Sequence, residues 1–188
     1  MTRLILTFIV VLLTKPAFSQ KKKDNNKQEI QKVLNAFMEC LVQKDSTKFY
    51  SLFHSEPDVW VGITHQKLYA DKLNKDSTAK DNFKRNYKSF YRHFYTKKVQ
   101  ENFYNVQIPE NGYIATVMFD YSFWEKEKKT NWRKESWAMI KTNGQWKITS
   151  VIFSSEDEAI NSEPKIKKRN DQITIKQNAY RNIYIKMG

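Results

Sequence analysis

The chain has 188 residues and carries 33 Lys and Arg against 20 Asp and Glu, a formal charge of +13. That length suits one domain with a sizeable core, and the basic residues are spread along the chain without a dense patch, so they read as a solvated surface and no nucleic-acid partner is expected. One cysteine excludes an intramolecular disulfide, the three separated histidines have no metal-ligand spacing, and four glycines leave no phosphate-cradling loop, so no metal and no cofactor is expected.

The first residues, MTRLILTFIVVLLTKPAFSQ, have the three parts of a secretory signal. Arg3 is the positive start, Leu4 to Leu13 the apolar run, and Ala17-Phe18-Ser19 the small-x-small cleavage pattern. The run is too short for a bilayer-spanning helix, which needs roughly 20 residues. The expectation is removal of residues 1–19, export to the periplasm or beyond, and no membrane span in the mature protein. Without Arg3 and Lys15, 31 basic residues face 20 acidic ones, a net charge of +11.

Residues 20–28 read as a polar, disordered leader. Ile30, Val33, Leu34, Phe37, Met38, Leu41 and Val42 then keep the spacing of an amphipathic helix, with Cys40 a small buried hydrophobe within it. Asp45-Ser46 caps a short second helix carrying Phe49, Tyr50, Leu52 and Phe53. Val59 to Ile63 reads as a strand. A third helix is expected from Asp76-Ser77, with Phe83, Tyr87, Phe90, Tyr91 and Phe94 on its core face.

From Val99 the period changes to two, giving strands at about Val99 to Ile108, Tyr113 to Trp124, Trp132 to Lys141 and Trp146 to Ser154. Helices followed by antiparallel strands indicate the α+β class. The domain is placed at 29–155 and a basic extension at 156–188.

Asn143-Gly144 favours a two-residue type I′ turn, which fixes a register in which Lys141 faces Trp146, Trp137 faces Ser150 and Glu135 faces Ile152. Alternation then puts Glu135, Trp137, Met139, Trp146, Ile148, Ser150 and Ile152 on the core face. In the preceding strand Phe119 falls beside Trp137 and Tyr121 beside Glu135. A carboxyl and a tyrosine in an apolar cavity can grip a ligand or share a proton, because desolvation raises the pKa of the carboxyl. The opposite face, with Met118, Asp120, Trp124, Trp132, Ala138, Ile140, Val151 and Phe153, is too apolar for water. It implies a second copy or cover by the C-terminal tail.

The order of elements, with EIQKVLNAFMECLVQKDSTKFYSLFHSEPDVWVGI near the start and ESWAMIKTNGQWKITSVIFSS at the closing hairpin, resembles the nuclear transport factor 2-like superfamily over roughly Gln28 to Ser155. SnoaL-like and related bacterial domains look nearest. The resemblance implies a cone-shaped fold of about three N-terminal helices on a curled antiparallel sheet. Its members include ketosteroid isomerases, polyketide cyclases, dehydratases, ligand-binding modules and dimeric adaptors. By position in that fold, Tyr50, His54 and Trp60 would line the mouth of the cone. No Asp-His pair of the isomerase or cyclase type maps onto this sequence by motif.

Two readings follow. In the first, the cone binds a small apolar or aromatic ligand without catalysis, walled by Phe119, Tyr121, Glu135, Trp137 and Ser150. In the alternative the protein is an isomerase, cyclase or dehydratase, with Glu135 or Asp120 as base and Tyr121 as hydrogen-bond donor. A homodimer through the outer sheet face is compatible with both.

Overall fold

Ile30, Leu34, Phe37, Met38 and Leu41 share one stripe of α1 (Pro16–Gln43), and all are buried. The computed structural model describes residues 16–54 and 59–165. Most of the expected signal and the tail beyond 165 lie outside the described residues. The segment read as a leader, 20–28, is helical as part of α1. Asn26 is buried there, its amide donating to Glu110 (3.1 Å) and accepting from Lys141 (3.1 Å), while Lys141 also reaches Glu29 at 2.6 Å. These polar bonds fasten a turn that has no apolar stripe, which is why hydrophobic spacing passes over it. Cys40 is buried, and burial pushes its thiol up to about 11, so it packs rather than reacts.

Asp45 caps α2 (Ser46–Ser51) by accepting from the Lys48 amide at 2.9 Å. The following strand, β1 (Val59–Thr64), leads into α3 (Gln66–Lys75), β2 (Asn82–Arg85) and α4 (Tyr87–Phe94). The single third helix expected from Asp76 is therefore replaced by a strand and a helix, β2 and α4, while α3 ends just before it. Asn86 separates β2 from α4 and forms a capping box with Ser89, which restarts the helix one residue after the strand ends. Aromatic spacing alone had merged these pieces.

Four long strands complete the sheet: β3 (Val99–Gln107), β4 (Ile114–Glu125), β5 (Lys128–Thr142) and β6 (Gln145–Asp157). The order is β2-β1-β6-β5-β4-β3. The sheet is mixed, because β1 runs parallel to β6 while the other pairs are antiparallel. The gap left between the strands expected to end at Trp124 and start at Trp132 shrinks to Lys126 and Glu127, both at positive φ, and Glu125 pairs with Lys128.

The β5–β6 register follows the Asn143-Gly144 turn only as far as Met139 opposite Ile148. A bulge at Thr149 then makes Ala138 face Ser150, Trp137 face Val151 and Glu135 face Phe153. One extra residue flips every later side chain of β6. Val151 is thus buried and Phe153 turns inward, while Ile152, placed in the core by the unbulged register, is 54 % exposed.

The helices lie against the inner face, where Phe37 meets Phe49 and Trp137, each at 5.1 Å between ring centroids. The outer face divides in two. Near Trp132 the segment after β6 crosses it: the Trp132 indole donates to the Asn161 carbonyl (2.8 Å), Lys129 pairs with Glu158 and Glu163, and the Tyr104 hydroxyl bonds Glu163. At the other end Val59, Ile63, Ile114, Met118 and Ile152 remain exposed. Among the described residues no helix is long and apolar enough to cross a membrane.

Candidate functional site

Between the inner face of the sheet and α4 lies a cavity of about 300 Å³. Its wall is aromatic, with Phe37, Trp60, Phe90, Phe94 and Phe123 among the lining residues. Gly62 opens one side. It pairs with Phe83 on β2 and with Phe153 on β6, and a Cβ there would sit 2.4 Å from Phe83 and 2.7 Å from Phe153. Only a residue without a side chain lets those two rings meet edge to face at 5.5 Å, where both line the cavity.

The inner end carries two carboxyl groups. Glu135 projects from β5, and Glu101 projects from β3 on the same face as Val99 and Phe103. Both are buried. The Trp137 indole donates to Glu135, whereas Glu101 has no hydrogen bond or ion pair among the described residues. Burial raises both: Glu135 to about 7, and Glu101 well above the carboxylate range, with the neighbouring Glu135 charge pushing it further. The Trp137 N–H favours the Glu135 anion, so Glu135 ionises first and Glu101 keeps its proton.

Tyr121 lies on the strand between them. Its hydroxyl donates to the Ser154 carbonyl at 2.8 Å, and burial, then the two carboxylates, push its pKa well up. The proton expected to serve a substrate is thus committed to the backbone, leaving the oxygen as an acceptor. The Trp60 indole nitrogen is buried without a partner among the described residues.

The mouth has the opposite sign. Arg85 comes from β2, His93 from α4 and Lys97 from the turn after it, with Glu125 beside them. Lys97 Nζ is 3.4 Å from Glu125 and 3.5 Å from His93 Nε2. Partial burial lowers the His93 pKa, and the Lys97 and Arg85 charges add to that effect.

Of the residues singled out from sequence, Trp60, Tyr121 and Glu135 line this cavity. Phe119 and Trp137 stand in the core behind it, their rings 5.3 Å apart. The other four lie elsewhere. Asp120 is on the outer face, paired with Lys134 at 2.6 Å and bonded by Asn105, because it alternates with the inward Phe119 and Tyr121. Ser150 is turned from the core face by the bulge. His54 is tied by its backbone N–H to the Ile148 carbonyl, and Tyr50 packs against Phe49, Tyr87 and Tyr91 in a neighbouring aromatic cluster. Glu101 was missed, although alternation with Val99 and Phe103 marks its inward direction. Arg85, His93 and Lys97 carried no such mark, since only the β2–α4 turn brings them to one opening. Among the described residues no group of three or more His, Cys, Asp or Glu is placed to hold a metal ion.

No protein-family model and no curated protein matches the chain. Solved structures do match. A nuclear transport factor 2-like protein of unknown function from Shewanella baltica is 13 % identical, covering 71 % of this chain and 95 % of its own, with TM-score 0.50. A protein from Novosphingobium aromaticivorans, provisionally a scytalone dehydratase, is 12 % identical over 80 % of this chain and 95 % of its own, with TM-score 0.55. A provisional dehydratase of the nuclear transport factor 2-like family from Streptomyces avermitilis is 14 % identical over 71 % and 98 %, with TM-score 0.51. The chain has the nuclear transport factor 2-like fold.

Proposed function

We propose that the cone binds a small, mainly aromatic or apolar molecule that presents a polar group to Glu101 and Glu135. The observation that carries this reading is Glu101: a buried carboxyl facing a cavity with no hydrogen-bond or ion-pair partner among the described residues. Buried polar groups are nearly always hydrogen-bonded, so a guest or an ordered water has to complete it. The cavity, at about 300 Å³, is of the size and composition of small-molecule sites. Native mass spectrometry of the protein purified from its host's envelope tests the reading. A retained small molecule, lost in Glu101→Leu and Trp60→Ala, is the expected result. An empty protein that also ignores a panel of naphthalenes and phenols would sink it.

A second reading, acid–base catalysis, is favoured by the unequal pair. Glu135 near pH 7 is poised to take a proton and Glu101 to give one, the division of labour an isomerase or dehydratase needs. Two of the similar structures being provisional dehydratases supports keeping it. A rate that climbs through about pH 7 and is abolished in Glu135→Gln is expected. Full activity in that variant removes Glu135 from the chemistry.

Export and pairing belong to the same proposal. Residues 1–19 act as the export signal, and two copies meet through the exposed apolar end of the outer face around Ile114, Met118 and Ile152. N-terminal sequencing of the envelope form tests the first. Sedimentation of Ile152→Lys against the parent tests the second, and an unchanged parent monomer would dismiss it.

A further inference from the structure

We infer that the guest is a small aromatic acid, lying with its ring between the aromatic walls and its anionic group at the mouth against Arg85 and Lys97. This rests on the reading that the cone holds a small molecule, and deepens it by naming the class.

Two permanent cations and one histidine from separate elements converge on one opening, and Glu125 is the carboxylate that answers them there. It engages Lys97. Arg85 has no carboxylate partner among the described residues; its guanidinium carbon rests 5.3 Å from the centre of the Phe83 ring. Phe83 itself lines the cavity, so the guanidinium is held at the edge of the apolar wall with its donors unspent. His93 sits beside Lys97 as a further hydrogen-bonding group.

The interior decides the orientation. Even beside a protonated Glu101, burial and the Glu135 charge oppose a further anion at the inner end, so the acid group faces outward. An organic cation suits aromatic walls in principle. Here it would have to pass Arg85 and Lys97 and then ionise the inner pair. A neutral guest makes no use of the Arg85 charge, which is otherwise left to solvent. The volume admits a body of one or two rings.

Three probes with the same bicyclic body separate the classes: 1-naphthoate, 1-naphthamide and 1-naphthylmethylammonium, titrated calorimetrically into the mature protein. Naphthoate is expected to bind tightest. Arg85→Gln should weaken it by about three- to tenfold while leaving the amide unchanged, and Lys97→Gln should act in the same direction. Salt on the order of 0.5 M should erase most of the preference, because the rim is solvent-facing. Amide or ammonium binding as tightly as naphthoate, or naphthoate binding indifferent to Arg85→Gln, overturns the acid class while leaving a small-molecule site in place. Failure of all three probes counts against the site itself and takes this inference with it.

Discussion

Replacing Glu135 by Gln should make the protein more stable at alkaline pH and leave it little changed in acid. The carboxyl is buried and titrates at about 7, against an ordinary value of 4.5. Between those values Glu135 in the folded state holds a proton that the unfolded chain has released, so its contribution to stability falls as pH rises from 4.5 through 7 and then levels off. At about 1.4 kcal/mol per unit, the penalty at about pH 8 is about 3 kcal/mol, or roughly 6–12 °C in Tm for a chain of this size. Gln cannot ionise, yet its carbonyl still accepts the Trp137 indole hydrogen, so the packing is kept. Urea unfolding followed by tryptophan fluorescence from about pH 4.5 to 8.5 gives the difference between variant and parent at each pH. That difference should grow toward alkali to about 3 kcal/mol. Glu101→Gln is the counterpart: burial raises its carboxyl further, so it too holds a proton that the unfolded chain has released, and this variant should also flatten the parent's decline. A difference independent of pH for Glu135→Gln would falsify the claim that this group carries the buried charge.

Three other outcomes are expected. Trp137→Phe removes the one donor that favours the Glu135 anion, so the pH of the stability decline should move above about 7; a decline at the parent's pH would show that the indole does not tune it. Glu156→Gln acts at the other end of the sheet. Glu156 is buried, and although burial raises its pKa, hydrogen bonds from Arg133 (2.7 Å) and Asn161 (3.1 Å), with His65 at 2.6 Å, lower it overall. Its contribution is therefore present above the ordinary carboxylate pKa and lost in acid. The variant should cost about 3 kcal/mol at neutral pH and show a shallower acid decline, checked by the same unfolding series. Gly62→Ala drives a Cβ into Phe83 and Phe153, and should destabilise by about 1–3 kcal/mol while weakening naphthoate binding; undiminished binding would mean that these rings retreat away from the cavity.

Much of the architecture could be read from residue order. The α1 stripe, the Asp45 cap, the four late strands and the Asn143-Gly144 turn are local signals, carried by neighbours within a few positions. So was the inward direction of Tyr121 and Glu135, which follows from alternation along a single strand. Trp60 was reached differently, through resemblance to a fold.

The remainder depended on contacts between distant segments. Whether β6 keeps its alternation is decided at Thr149, whose hydroxyl donates to the Ala138 carbonyl on the facing strand (3.1 Å), and no local pattern announces that bulge. It moved Ser150 and Ile152 off the core face and brought Phe153 to the cavity. The pairing of β1 with β2 likewise set Phe83 and Arg85 beside an opening that α4 completes. Residue order thus determined which faces are apolar, because burial of apolar surface follows strand and helix periods. Tertiary structure decided which charged groups share one cavity, because a carboxyl's proton affinity depends on neighbours that only folding supplies.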